Sequence, residues 1–163
     1  MATLAGLGLA ACGKSAEDSQ QALVPAEIDP RSTCDLDGML LADYPGPKAQ
    51  IFYEGKESPT FFCDTVEMFH TLLSPEQVKA VSAAYVQDMG KADWDQPRGN
   101  WIPAKEGCYV LGSKRHGSMG PTIASFAQEA DAKKFIGQWG GKFLRYAEIK
   151  SDMVDLSGGA LHD

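Results

Sequence analysis

The segment Cys34-Asp35-Leu36-Asp37-Gly38-Met39 constrains this chain most, because it combines a tight turn with metal-binding side chains. Gly38 can adopt a positive φ at no steric cost, so the chain can fold back and direct Cys34, Asp37 and Met39 towards a common point. A thiolate and a thioether are soft donors that select Cu(I), whereas a carboxylate suits a harder ion such as Zn. The segment therefore predicts a metal site at a turn.

A second stretch supplies further candidate donors. Residues 112–121 are glycine-rich and read as a loop, and within it Met119 lies between small residues, where a methionine is poorly placed to fill a core. His116 is close by, and imidazole binds both Cu and Zn. We therefore predict one soft site for Cu(I), with room for a second metal such as Zn, at these positions: Cys34, Asp37, Met39, His116 and Met119.

Each candidate also has a structural interpretation. Cys34 or Met39 could fill a core, and Asp37 could brace the turn through its own backbone instead of binding a metal. His116 could be an exposed loop residue. Cys63 begins a helix, where a thiolate can be favoured, but its position also suits packing, so it stays outside the predicted set. Met89 is a reserve candidate for a metal ligand, whereas Cys108 and Met68 are predicted to be core residues.

The bulk properties narrow the function classes. The chain has 163 residues, which fits about one domain. Its 22 acidic against 15 basic residues argue against a nucleic-acid groove, which needs a basic face. The sequence contains no stretch of about 20 apolar residues, so it does not predict an ordinary membrane span. No catalytic triad order, phosphate loop or acid–base carboxylate pair is evident, so the sequence does not predict an enzyme.

The N-terminus has the pattern of an export signal. Residues 2–11 are apolar and end in small residues before Cys12. Leu9-Ala10-Ala11-Cys12 resembles the bacterial lipobox, which implies cleavage before Cys12 and lipid on its sulfur. Gly13 then fits sorting to the outer membrane. The predicted organisation is a lipoprotein signal at 1–12, a flexible tether at 13–33, a metal-binding domain at 34–150 and a frayed tail at 151–163.

The remaining patterns predict an α+β fold. Short β-rich runs and helical patterns alternate in two similar halves, which favours small antiparallel sheets with packed helices. Asp64 or Thr65 is predicted to cap the N-terminus of the first helix, with Glu67 in its first turn. Residues 101–104 and 108–111 are predicted to pair as a hairpin. Pro121 is predicted to open a second helix and Asp131 to cap a third, and a last strand is predicted over 142–149.

Several separate motifs, in the same order, resemble the NosL family of accessory lipoproteins and copper chaperones of nitrous oxide reductase. Besides the lipobox and the turn, the matching segments are Asp43 to Lys48, Phe62 to Met68, Val86 to Met89 with Asp93-Trp94, and Gly112 to Phe126. Members of the family often carry Cys-x-x-Cys-Gly-Met, where this chain has Asp37 in place of the second cysteine. The turn itself therefore lacks a thiolate pair.

The resemblance implies a periplasmic, membrane-anchored protein that hands Cu(I) to the machinery that builds the copper sites of nitrous oxide reductase. It also implies two ββα-type halves. The implied partners are the membrane ABC-type maturation complex or the reductase itself, and a homodimer stays open. Two rival functions remain: a thiol-disulfide oxidoreductase that cycles Cys34 and Cys63, against which the lack of CxxC spacing counts, and a scaffold lipoprotein that binds no metal.

Overall fold

The fold repeats one arrangement of strands and a helix. The structure, a computed structural model, describes residues 23–156. Its longer elements are β1 (Ala49–Tyr53), β2 (Thr60–Phe62), α1 (Thr65–Leu73), β3 (Val81–Gln87), β4 (Trp101–Pro103), β5 (Cys108–Gly117), β6 (Gly120–Phe126), α2 (Glu129–Trp139) and β7 (Lys142–Arg145). Within the described range, no helix has the length and apolar character needed to cross a membrane.

Two antiparallel sheets carry the two halves. The first has the strand order β2-β1-β3-β4 and the second has the order β6-β5-β7. In each half a hairpin leads into a helix, and the next strand returns to pair with the first strand of that hairpin. The predicted α+β class with two similar ββα-type halves is thus confirmed.

A main core joins the first sheet, α1 and the second sheet. Ile51 from β1, Phe69 from α1 and Tyr109 from β5 are buried in it. A second cluster packs α2 against β5 and β6, with Phe135 near Trp94 and Phe126. These cores leave one end of β2, the start of α1 and the β5–β6 turn next to one another, and the candidate site lies there.

The predicted helix after Pro121 is wrong, because residues 120–126 form strand β6. β6 is an edge strand, and a proline is tolerated there because an outward-facing N–H is not needed. The predicted loop at 112–121 is correspondingly the end of β5, a tight turn and the start of β6. The following helix begins at Glu129, so Asp131 lies in its first turn and does not cap it.

The predicted hairpin of 101–104 with 108–111 is also wrong. β4 pairs with β3, while β5 pairs with β6 and β7, so the two segments belong to different sheets. A short 3-10 helix, Ala104–Glu106, joins them. Ala104 is fully buried and anchors this connection in the main core, while Lys105 and Glu106 are exposed.

The ordered structure extends beyond the predicted domain at both ends. Within the predicted tether, the backbone of Ala26 exchanges two hydrogen bonds with the Gln50 side chain, and Ile28 is buried. Within the predicted frayed tail, Ser151–Met153 forms a 3-10 helix and Val154 packs into the main core. The predicted signal, Cys12 and the end of the tail lie outside the described residues.

Candidate metal centre

Four potential metal donors meet where the first half of the fold closes. Cys34 and Asp37 come from the turn, Cys63 follows β2, and Glu67 lies in the first turn of α1. One ligand atom of each lies within 4.8 Å of the others. Donors bound tetrahedrally at about 2.3 Å are roughly 3.8 Å apart, so a small contraction would close this cluster on an ion.

Local hydrogen bonds shape the turn as its sequence predicts. The Cys34 N–H donates to the Met39 carbonyl at 2.9 Å, the Gly38 N–H donates to the Cys34 carbonyl at 3.0 Å, and Gly38 has a φ of +73°. Asp37 accepts the Met39 N–H through Oδ1 at 2.9 Å. Its other oxygen, Oδ2, lies 3.9 Å from Cys63 Sγ. Asp37 therefore braces the turn and also faces the cluster.

A capping box at the start of α1 positions Glu67. Asp64 is the N-cap and accepts the Val66 N–H at 3.0 Å, while the Glu67 side chain returns to the Asp64 N–H at 3.2 Å. This return places Glu67 Oε2 3.2 Å from the Sγ of Cys34 and 3.2 Å from the Sγ of Cys63. One carboxylate oxygen thus lies between two thiols.

The turn is held beside β2 by a backbone contact. The Asp35 N–H donates to the Phe61 carbonyl at 2.9 Å. Beneath this contact, Cys34 and Cys63 are buried with Ile28 and Leu41 in a small apolar cluster. The thiols therefore lie under an exposed turn rather than on an open surface.

The two thiols differ in acidity. A hydrogen bond from the Cys63 thiol lowers the pKa of Cys34 below its usual value. The hydrogen bond with Cys34 raises the pKa of Cys63, and burial of the Cys63 thiol raises it further. Cys34 is therefore the thiol of this pair that ionises more readily.

Two buried ionisable side chains, Lys48 and Asp64, lie next to the cluster. Lys48 is fully buried, and its Nζ donates to the carbonyls of Pro45 at 2.8 Å and Cys63 at 3.0 Å. Burial lowers the pKa of Lys48 to about 8 and raises the pKa of Asp64 to about 6. The Lys48 ammonium offsets part of the negative charge that the carboxylates and thiols bring together.

The β5–β6 turn lies against the other side of Cys63. Ser118 Oγ donates to the Cys63 carbonyl at 2.7 Å. The backbone approaches closely here, because a Cβ on Gly46 would lie 2.6 Å from the Gly117 Cα. Met119 follows Ser118 at the tip of this turn and is 52% exposed. The predicted second donor loop is thus adjacent to the cluster.

His116 is arranged differently from the other predicted donors. Its carbonyl accepts the Trp94 indole N–H at 3.0 Å, and the residue is exposed. Successive strand residues point to opposite faces, and Gly117 faces Asp64, so the imidazole points away from Asp64. Among the described residues, the four-donor cluster contains Cys34 and Asp37 from the predicted set but not His116.

Sequence reasoning left Cys63 outside the predicted set and gave Glu67 only a role at the helix start. Their spacing of four residues at a helix N-terminus, inside the capping-box pattern Asp64-Thr65-Val66-Glu67, is the signal that could have found them. That pattern turns Glu67 back towards the residue before the cap. It does not reveal that Cys34 lies opposite, because that contact joins distant parts of the chain.

Comparisons with known proteins agree with one another. The NosL family profile matches residues 25–154. The "Copper-binding lipoprotein NosL" of Stutzerimonas stutzeri is 38% identical over 100% of this chain and 87% of the relative. The protein of the same description from Achromobacter cycloclastes is 39% identical over 93% of this chain and 80% of the relative.

Two solved structures are similar to this fold. The crystal structure of the copper chaperone NosL from Shewanella denitrificans has a TM-score of 0.76 and 39% identity, covering 80% of this chain and 98% of that chain. The solution NMR structure of apo-NosL from Achromobacter cycloclastes has a TM-score of 0.50 and 40% identity, covering 67% of this chain and 91% of that chain.

Proposed function

The chain belongs to the NosL family, and from that membership we propose that it binds Cu(I) as cargo and delivers it for copper-site assembly of nitrous oxide reductase. The observation that carries this proposal is the pair of buried thiols, Cys34 and Cys63, that share Glu67 Oε2 beneath an exposed turn. Thiolates are the donors that select Cu(I).

The donor set divides by hardness. Cys34 and Cys63 supply two soft thiolates, and Met39 and Met119 carry thioethers on the two adjoining turns. Asp37 and Glu67 are hard donors, and with the two thiolates they make a set of four donors, the number that Zn takes in structural sites. We propose Cu(I) as the ion delivered and Zn as the competing or second metal.

The location of the cluster suits release. Asp37 and Met119 are exposed, so a partner protein can approach the ion from the side of the two turns. Cys63 lies deeper, with its carbonyl held by Lys48 and Ser118. An acceptor that supplies its own soft donors can replace the turn ligands first and Cys63 last.

We propose that lipid on Cys12 anchors the protein in the periplasm, at the outer membrane. The proposed acceptor is the membrane ABC-type maturation complex of the reductase, or the reductase itself. The net charge of −7 does not suit a nucleic-acid partner. Neither a homodimer nor a catalytic activity is needed for this role.

Anaerobic titration of the reduced full chain with Cu(I), in competition with a coloured Cu(I) chelator, tests the binding step. We expect about one Cu(I) per chain and a large loss of affinity in both Cys34→Ser and Cys63→Ser. Cys108→Ser is the matched control, since Cys108 is equally buried but lies beside Arg145, away from the cluster. Unchanged affinity in both cluster variants would exclude this site.

Delivery is tested in denitrifying cells whose own copy of this protein is replaced by Cys34→Ser. We expect nitrous oxide reductase purified from these cells to contain less copper than reductase from cells with the wild-type chain. Returning the wild-type gene to the variant cells should restore the copper content. A reductase with its full copper content would argue against delivery, even if the isolated chain binds Cu(I).

The thiol arrangement also favours a second candidate, a thiol-disulfide oxidoreductase, because Cys34 and Cys63 lie close together. A disulfide-reductase assay on the reduced chain separates the two functions. Turnover of a disulfide substrate that is lost in Cys34→Ser would favour the oxidoreductase. Stoichiometric metal would in turn exclude the remaining rival, a metal-free scaffold.

A further inference from the structure

Two free cysteines meet in the cluster although neither belongs to a CxxC motif. Cys34 and Cys63 are unbridged, and their Sγ atoms lie within 4.8 Å of each other. We propose that this pair is a reversible oxidation site, at which a small-molecule disulfide converts the two thiols into an intramolecular Cys34–Cys63 disulfide. The bond itself does not depend on the proposed function, but its consequence for Cu(I) rests on it.

The backbone geometry suits such a bond. The hydrogen bond from the Asp35 N–H to the Phe61 carbonyl places the segments that carry the two cysteines side by side. A disulfide joins Cα atoms about 4.4–6.8 Å apart, a span that two segments in backbone hydrogen-bond contact can meet. The bond length is about 2.05 Å, so the sulfurs must approach by at most about 2.8 Å.

The turn can supply this movement while Cys63 stays in place. Leu36, Asp37 and Gly38 are exposed, and a Cβ on Gly38 would meet no atom within 4 Å. By contrast, Cys63 is fully buried, and its carbonyl accepts hydrogen bonds from Lys48 and Ser118. Displacement of the turn therefore brings Cys34 to the oxidant first and to Cys63 second.

The reaction is two thiol–disulfide exchanges. The Cys34 thiolate attacks one sulfur of oxidised glutathione, and the S–S bond of glutathione breaks as one glutathione thiolate leaves. The Cys63 thiolate then attacks Cys34 Sγ in the mixed disulfide and expels the second glutathione. The two protein thiols lose two protons and two electrons, and the oxidant becomes two glutathione thiols.

This oxidation removes both soft thiolates from the cluster. The oxidised chain keeps the hard donors Asp37 and Glu67 and the thioethers of Met39 and Met119, but it has no thiolate. Because thiolates are the strongest soft donors of the set, the oxidised chain would hold Cu(I) more weakly than the reduced chain. The pair would thus act as a switch on loading, which differs from an oxidoreductase because no substrate is turned over.

The sequence offers a direct test, since trypsin places the four cysteines on separate peptides. They are residues 1–14 with Cys12, 32–48 with Cys34, 57–79 with Cys63 and 106–114 with Cys108. The reduced, metal-free full chain is incubated anaerobically with oxidised glutathione, the remaining thiols are alkylated, and the digest is analysed by mass spectrometry. We expect peptide 32–48 linked to 57–79, Cys108 alkylated, and release of the link by dithiothreitol.

Two variants fix the order of attack. In Cys63→Ser the glutathione should remain on Cys34, because no second thiol displaces it, while Cys34→Ser should resist modification at Cys63. Two results would overturn the proposal: both cysteines alkylated in the wild-type chain, or a link that joins either of them to Cys12 or Cys108 instead.

A Cu(I) titration of the oxidised and reduced chains tests the consequence separately. We expect at least a tenfold loss of Cu(I) affinity on oxidation, restored by dithiothreitol. Equal binding by both forms would refute the switch. A linked peptide in a chain whose reduced form also binds no Cu(I) would uphold the disulfide and refute the proposed function instead.

Discussion

The Sγ of Cys34 lies 3.2 Å from Oε2 of Glu67, although the two residues are 33 positions apart in the chain. The same oxygen lies 3.2 Å from Cys63 Sγ. Glu67 thus connects a turn, a strand end and a helix start. Its carboxylate is the hard donor of the buried part of the cluster, so its charge should affect hard and soft ions differently.

We expect Glu67→Gln to lower Zn(II) affinity by about 10- to 100-fold and Cu(I) affinity by much less, because the thiolates supply the soft donors. The amide can still accept the Asp64 N–H, so the helix start is preserved. Parallel competition titrations with both ions measure the effect. Glu129→Gln, in the first turn of α2, is the matched control. Equal losses for both ions would contradict the division by hardness.

We expect Met119→Ala to weaken Cu(I) binding by about tenfold, or about 1.4 kcal/mol, if its thioether contributes to the site. Because Met119 is half-exposed, the free energy of unfolding should barely change. Val78→Ala is a control of similar character, since Val78 is 88% exposed and lies away from the cluster. Unchanged Cu(I) affinity in Met119→Ala would remove this residue from the ligand set.

We expect Asp64→Ala to lower the free energy of unfolding by about 2 kcal/mol, measured by urea denaturation of the metal-free chain. The Asp64 carboxylate accepts the Val66 N–H and the Thr122 hydroxyl, so its loss leaves one partly buried and one buried donor without this acceptor. Gln128→Ala is the control, because Gln128 is the N-cap of α2 but makes no side-chain capping bond. A similar loss in both variants would show that the cap is not the cause.

Alkaline pH should destabilise the fold through Tyr109, because burial raises the pKa of its phenol. Above pH 10 the unfolded tyrosine loses its proton while the folded one keeps it. The folded state then binds more protons, so the free energy of unfolding falls as the pH rises. Tyr109→Phe should make this fall shallower.

The same substitution also removes the hydrogen bond to the Ala104 carbonyl, at a cost of about 1 kcal/mol at neutral pH. Urea denaturation of both proteins between pH 8 and 11 separates the two effects. Tyr53 and Tyr146 also have raised pKa values and are present in both proteins, so they cancel in the comparison. Parallel profiles would contradict the assignment to Tyr109.

The sequence predicted best those features that depend on contacts between residues close together in the chain. Gly38, the Asp37 brace and the Asp64 cap are formed by contacts within a few residues, and all three are read from short patterns. The helix predicted after Pro121 was wrong because the edge position of β6, which tolerates proline, depends on strand pairing elsewhere in the chain.

The cluster was only half predictable for the same reason. Cys34 and Asp37 share a turn, so their convergence follows from spacing. Cys63 and Glu67 share a helix start, and that convergence also follows from spacing. The meeting of the two pairs depends on the contact between Asp35 and Phe61, which no local pattern encodes.

Because the two halves of the fold are similar, the strand-to-helix junction at the candidate site can be compared with the equivalent junction in the second half. Phe62 ends β2 and Cys63-Asp64 lead into α1; in the second half, Phe126 ends β6 and Ala127-Gln128 lead into α2. Alanine there replaces the deeper thiol and glutamine replaces the cap. The same strand-to-helix junction therefore occurs twice, once with the candidate metal donors and once without them. The second junction shows what this scaffold forms when it lacks those donors.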